Sequence, residues 1–444
     1  MKRYLYLFLA GLALIGCSKP AKPQNAGPVT VTLKIAHNMD FVSIPNSVIA
    51  AADSLMARYR SEGKDITIQF ETDYQRIDWT EYHNNILFAD KIGEGPDIFS
   101  LSDDIYGLLE AGMLLDISDV VSPAFMDNIF APFTINGKAY GMPFDLPLRV
   151  LYYNKAGLAH IGWTQGEIEA LPGKIAAGEF TFDQFMALAA EVQKKGGAQY
   201  GLTHRPGAGH DFFEILRVLG GEYYDQNNKL VFDEPALTRF FQFTYDNANV
   251  SKITPPNLNQ MGWDTINKMV GNGDSFAYYG PLYSSTYVAG SVNKTPEQLV
   301  EDVSFILFPV SRYNSKPFTV AAPQGMGINA KTKYPDICKD LFRELAGNSY
   351  EQLAEHASKI FTLSSVKTAN DTAVIKANPI LKEVTYMADY AIPLPTVRGI
   401  NTYTTEMHKQ IVLLELGQVS PAKAVADFKT QIQLNLDADS VVYK

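Results

Sequence analysis

Asp103-Asp104 stands just past a short apolar stretch, Asp97-Ile98-Phe99, that reads as a strand. Ligand crevices of α/β sheets open at such strand ends, and a carboxylate there can grip paired hydroxyls. Asp can equally cap the helix that follows, and both roles stay open for Asp104. Asn38, Met39 and Asp40 end the first strand at the same kind of edge. His204, His210, Asp211 and Phe212 surround a Pro206-Gly207-Ala208-Gly209 loop ahead of a helix. Polar and aromatic groups on a loop tip fit ligand binding, and a solvent loop with incidental histidines fits as well. A phosphate could sit on such a loop, but one Gly-Ala-Gly is weak support for that. Arg398, Asn401 and Tyr403 follow Pro393-Leu394-Pro395. The guanidinium suits hydroxyls or a carboxylate, and a surface arginine also needs no ligand. What these side chains offer is holding chemistry: planar polar groups for hydroxyls, aromatic faces for apolar ring faces. The chain carries 24 Tyr, 25 Phe and 3 Trp, although most aromatics belong to cores.

Reaction chemistry is poorly provided. The sequence has no His-Glu-x-x-His zinc pattern, no Gly-x-Ser-x-Gly elbow and no phosphate loop ending in Gly-Lys-Ser/Thr. A glycosidase needs two facing carboxylates, and no motif pairs any here. The expectation is a binding protein, not an enzyme, with no cofactor and no metal site. An exported carbohydrate-active enzyme is the weaker alternative.

The elements that would position these groups follow from periodicity. Val29, Val31, Leu33 and Ile35 alternate as in a strand, and Val48, Ala51, Ala52, Leu55 and Tyr59 repeat as on a helix. Ile66, Ile68 and Phe70 alternate again, so the chain opens β-α-β, which favours a mainly parallel sheet flanked by helices. Asn136-Gly137 marks a tight turn, and Thr181-Phe182-Asp183-Gln184 carries a capping-box pattern. A helix over Phe212–Leu219 stops at Gly220-Gly221. Val303 to Phe308 reads as a buried strand, and helical patterns fill the C-terminal tail. Cys338, Leu341, Phe342 and Leu345 share one helix face, so the thiol reads as structural. Trp79 precedes a helical segment and reads as packing.

Composition narrows the class. A chain of 444 residues with 46% hydrophobic side chains suggests two or three domains. The net charge is −10, and no Lys/Arg cluster interrupts it, which argues against nucleic acid. Lys2 and Arg3, an apolar run from Tyr4 to Ile15, then Leu14-Ile15-Gly16-Cys17 have the layout of a secretory signal. The run is too short for a transmembrane span. With a small residue ahead of the cysteine it resembles a lipoprotein signal, which implies acylation of Cys17 and lipid anchoring in the cell envelope. The polar, proline-rich stretch behind it, 17–28, reads as a tether.

Four stretches, in order, resemble the extracellular solute-binding proteins that are similar to maltose-binding protein. They are Gly95-Pro96-Asp97-Ile98 with Leu108-Leu109-Glu110-Ala111-Gly112-Met113-Leu114-Leu115-Asp116-Ile117; Asn136-Gly137-Lys138-Ala139-Tyr140-Gly141-Met142-Pro143 with Leu151-Tyr152-Tyr153-Asn154-Lys155; Phe180-Thr181-Phe182-Asp183-Gln184-Phe185; and Gly271 to Pro281. The resemblance implies a two-lobed, type II periplasmic-binding-protein-like α/β fold, probed by hinge closure on a sugar and delivery to an ABC-type importer. It places a signal peptide at 1–16, a first lobe at 29–143 and 309–365, and a second at 144–308 and 366–444. It also puts Tyr283 where the family carries a stacking aromatic, Asp104 nearest a ligand carboxylate, and Arg398, Asn401 and Tyr403 along the cleft. His210 and Phe212 fall in the region of the second lobe that reaches ligand. Asp145 is a further candidate beside the hinge, where Pro147 and Arg149 depart from the sugar-binder pattern. That departure keeps a non-sugar solute open, an organic acid, polyamine or peptide. An acid would be expected to need Arg149 or Arg398. A monomer is expected.

Overall fold

Side-chain alternation builds the first strand, Val29–Asn38, with Val31, Leu33 and Ile35 turned inward and Thr30, Thr32 and Lys34 outward. Its register with Ile66–Gln75 is parallel, Val29 opposite Ile66 through Asn38 opposite Gln75. The computed structural model describes residues 28–38, 41–101 and 105–444. The helix between these strands, Ser43–Ser61, buries Val48, Ala51, Ala52, Leu55 and Tyr59, the stripe its periodicity predicts.

Two separate sheets make two lobes. The first runs Ile66–Gln75, Val29–Asn38, Ile98–Leu101, Gly325–Ile328, Met142–Pro143. The second runs Ala391–Pro393, Thr319–Ala321, Leu148–Asn154, Ser275–Pro281, Tyr200–Thr203, with Val303–Ile306 also on Leu148–Asn154. Both are mainly parallel, as the opening β-α-β pattern predicts, with one reversed strand in each. Gly325–Ile328 lies antiparallel to both its neighbours, and Leu148–Asn154 lies antiparallel to Ser275–Pro281, Val303–Ile306 and Thr319–Ala321. Periodicity reports which faces are buried and carries no strand direction. The reversed strand in each sheet is the first formed after the chain crosses the waist into it, whereas Ala391–Pro393, arriving after the last pass, runs with the majority.

The chain crosses the waist three times. The first pass leaves the first sheet at Pro143 and enters the second at Leu148; Asp145–Leu146 between them pairs with Leu363–Ser364. The return falls between Ala321 and Gly325, because Thr319–Ala321 still pairs within the second sheet, so it comes later than the expected 309. The last pass runs through short helices Lys367–Asn370, Ala373–Ala377 and Pro379–Val384 before Ala391–Pro393 rejoins the second sheet.

Local signals held at several points. Asn136 (φ 52°) and Gly137 (φ 76°) join Thr134–Ile135 to Lys138–Ala139 by a two-residue turn, which needs positive φ at both positions. Thr181 and Gln184 form a reciprocal capping box at the start of Phe182–Lys194. Cys338, Leu341, Phe342 and Leu345 are fully buried on Pro335–Ala346, and burial pushes the thiol up to about 12, so it stays protonated.

Buried polar groups tie the waist. Asp145 accepts the backbone N–H of Gln324 at 2.8 Å, and its other oxygen faces His356 Nε2 at 3.9 Å. Ser365 donates to the Pro143 carbonyl at 2.8 Å. His37, at the end of the first strand, is fully buried. Burial, reinforced by the nearby His356, lowers its pKa from 6.5 to about 4. The folded state therefore prefers neutral His37, and this stability is present above pH 6.5 and lost as pH falls toward 4. The drop attributable to His37 is bounded by about 3 kcal/mol. Urea unfolding at pH 7 and pH 4.5 should show a smaller acid loss in His37→Gln than in wild type. Equal losses would mean that His37 is already protonated in the folded protein.

Candidate functional site

Between the lobes lies a cavity of about 340 Å³ bordered by Arg76 from the first lobe and by Arg205, Asp211, Trp263, Asn267, Pro281, Tyr283, Ser284 and Tyr287 from the second. Its aromatic wall comes from two helix starts. Pro281 ends the Ser275–Pro281 strand, and Leu282 is fully buried with its N–H donating to the Leu148 carbonyl at 2.8 Å. With Leu282 anchored inward, Tyr283 stands at the N-cap of Ser284–Ser291 and borders the cavity. Trp263 opens Trp263–Asn272, which buries Ile266, Met269 and Val270 and leaves the indole 45% exposed. Phe41 reaches over from the first lobe, its ring 6.1 Å from Tyr283 and 6.3 Å from Tyr287.

The polar wall is a chain of alternating charge. Arg205 follows the Tyr200–Thr203 strand; its Nε donates to the Gly207 carbonyl and its Nη1 to Asp211, both at 2.9 Å. Its guanidinium lies 5.7 Å from the Trp263 ring centre, a cation–π contact. Gly209 is where the loop must pass the guanidinium, since a Cβ there would fall on Arg205. Asp211, 1% exposed, is also ion-paired with Arg149, and Arg149 Nε stands 3.8 Å from Glu214, which is fully buried. Burial pushes the Glu214 carboxyl up to about 7 against the pull of Arg149. Burial, then Arg149, lowers the Arg205 pKa. Beside them the Tyr278 hydroxyl is buried and raised to about 12 by the same cause. The result is one carboxylate held rigid between two guanidiniums at the edge of an aromatic slot. Such a site can stack a flat ring face and hydrogen-bond its rim. Among the described residues, no group of three His, Cys, Asp or Glu is placed to hold a metal ion.

The sequence candidates divide sharply. Tyr283 borders the cavity. Asp40, Asp104 and Cys17 lie outside the described residues. Asn38 is buried, donating to the Ile77 carbonyl at 3.0 Å and accepting the Ile77 N–H at 2.9 Å. Asp145 is buried in the waist. His210, 8% exposed, N-caps Asp211–Val218 with its ring 5.7 Å from Phe213. Phe212 packs in the core against His204, Tyr279, Phe240 and His408. Tyr403 is fully buried, its hydroxyl donating to the Val231 carbonyl at 2.9 Å. Asn401 is exposed on Ile400–Glu415. Arg398 pairs with Glu110 of the first lobe and lies 4.8 Å over the Tyr106 ring. Arg149 makes the buried ion pair with Asp211.

Sequence reasoning did not single out Arg76, Arg205, Trp263, Asn267, Ser284 or Tyr287. Arg205 sits inside the loop already marked by its histidines, and Trp263 was legible as a large aromatic at a helix start after Gly262. Arg76 and Asn267 carry no local signal.

Residues 54–383 match the family described as bacterial extracellular solute-binding protein. The arabinooligosaccharide-binding protein of Halalkalibacterium halodurans is 22% identical over 296 residues, 64% of this chain and 60% of the relative. The maltodextrin-binding protein MdxE of Bacillus subtilis is 28% identical over 191 residues, 43% of this chain and 40% of the relative. The chain therefore spans less than two thirds of either relative's length. Among solved structures, a cyclo/maltodextrin-binding protein complexed with maltotetraose superposes with a TM-score of 0.70 at 17% identity, covering 92% of this chain and 97% of the other. Maltose-bound MalE3 of T. maritima gives 0.68 at 19%, covering 92% and 100%. At such identities the likeness is one of fold, and it agrees with the two lobes and their waist.

Proposed function

Because the chain belongs to the bacterial extracellular solute-binding proteins, we propose that it captures a saccharide between its lobes and delivers it to an ABC-type importer. The observation that carries this reading is the interlobe cavity, where Trp263 and Tyr283 flank a buried Asp211 held by Arg149 and Arg205. Tyr283 and Trp263 would stack on sugar faces, while Asp211, Arg205 and Arg76 take the hydroxyl rim. Asp40 and Asp104 are proposed as further first-lobe contacts, since each follows a strand end that faces such crevices. Ligand touching both lobes favours the closed arrangement, the differential affinity that closure requires. The maltodextrin and arabinooligosaccharide specificities of the relatives support a saccharide. Engagement of Arg149 by Asp211 and of Arg398 by Glu110 disfavours an organic acid as ligand.

Acylation of Cys17 would moor the protein outside the membrane; no described helix is long and apolar enough to cross one. Mass spectrometry of membrane-extracted protein should find a lipid-modified Cys17 at the new N-terminus.

A thermal-shift panel of mono- and oligosaccharides, sugar acids, polyamines and peptides tests the ligand class. A true ligand at 100 times its Kd should add about 2.7 kcal/mol of stability. Stabilisation by peptides or polyamines alone would overturn the saccharide reading.

A further inference from the structure

Two lobes joined only at a waist would be free to swing, yet described side chains of the two lobes also meet outside the crossing segments. Glu110 ends the Tyr106–Glu110 helix, whose buried Leu108 belongs with Phe99, Leu101 and Tyr82 in the first lobe. Arg398 comes from the other lobe, between strand Ala391–Pro393 of the second sheet and helix Ile400–Glu415. The Arg398 guanidinium pairs with the Glu110 carboxylate and covers the Tyr106 ring at 4.8 Å. Both contacts need the lobes close together, because neither side chain can reach far beyond its own lobe. Both side chains remain about half exposed, 51% and 57%, so water can replace each partner when the lobes part.

We propose that Arg398, Glu110 and Tyr106 form a strap across the cleft that sets the population of closed protein, and thereby ligand affinity, without touching the ligand. The inference rests on the hinge-closing reading above. A binding protein whose competent state is fractionally populated loses apparent affinity by that fraction, so a strap of modest strength tunes capture directly. An exposed ion pair and an exposed cation–π contact are each weak, and together they shift the closed-to-open ratio by on the order of fivefold. Such a strap holds loosely enough to release.

The test is single-molecule energy transfer on the full chain, with dyes at Glu94→Cys in the first lobe and Lys174→Cys in the second. Without saccharide, Arg398→Ala should move the closed-to-open ratio about fivefold toward open; Glu110→Ala, which leaves Arg398 over Tyr106, should move it about twofold, and 1 M salt should shift wild type the same way. The exchanged pair, Glu110→Arg with Arg398→Glu, should recover the ion-pair share of the shift relative to Arg398→Ala, the contact with Tyr106 being lost. Wild-type movement that both single variants leave unaltered overturns the strap while leaving the hinge intact. So does an exchanged pair that behaves like Arg398→Ala. Weakened capture of maltotetraose with unaltered lobe distances would instead make Arg398 a ligand contact. One fixed distance in every variant, with or without maltotetraose, would remove the hinge and the strap together.

Discussion

Asp211→Ala is expected to lower the free energy of unfolding by about 3–5 kcal/mol, the cost of leaving buried charge without its partner. Asp211 is the carboxylate between Arg149 and Arg205, and Arg149 is itself only 8% exposed. Its removal leaves two guanidiniums facing each other across the gap. Asp211→Asn keeps the shape and one acceptor oxygen, so it should lose less. The remaining acid beside Arg149 is Glu214, held near 7 in the intact protein by burial. Without Asp211, that carboxyl should ionise at lower pH, because Arg149 then has no competing anion. The deficit should therefore be smaller at pH 8 than at pH 6 in urea unfolding. A loss below about 1 kcal/mol at both values would place the cluster in water rather than in the interior.

Tyr283→Ala should weaken saccharide binding about thirtyfold, near 2 kcal/mol, as expected for a central aromatic contact. Tyr283→Trp should retain or improve affinity, because a larger ring offers the same stacking face. Fold stability should change little by comparison, since Tyr283 borders a cavity and Leu282 beside it carries the packing. Titration calorimetry with the saccharide selected by the thermal panel measures both variants. An Ala variant that binds within threefold of wild type would take stacking at this position out of the mechanism.

How much was legible in the sequence depends on what kind of signal a residue emits. Alternation in Val29–Asn38, the stripe of Ser43–Ser61 and the capping box at Thr181 are local patterns, and each became the element it announces. The mainly parallel sense was legible from the β-α-β order, but the one reversed strand in each sheet and the place of the return crossing depend on contacts between distant segments, such as Val320 opposite Arg149, which no window of sequence contains. The site followed the same division. Tyr283 was singled out by the family resemblance, which carries a stacking aromatic at that place, and not by any local pattern. Phe212 and Tyr403 emit the same aromatic signal yet face inward, because packing against Phe240 and Phe428 decides which side of a helix is buried. Arg149 looked like a departure near the waist, and its buried partner Asp211 lies far along the chain. Arg76 borders the same cavity as Trp263 and Tyr283 only because two lobes converge, so nothing around it in sequence marks it.

The interior strand Gly325–Ile328 stands between Ile98–Leu101 and Met142–Pro143, although it is made long after both. The amino-terminal half-sheet must therefore wait, with a gap at its centre, until most of the polypeptide has left the ribosome. Long-range pairings of this kind are slow to form. Until that strand arrives, Ile98–Leu101 and Met142–Pro143 each keep one edge without the partner that the finished sheet gives them.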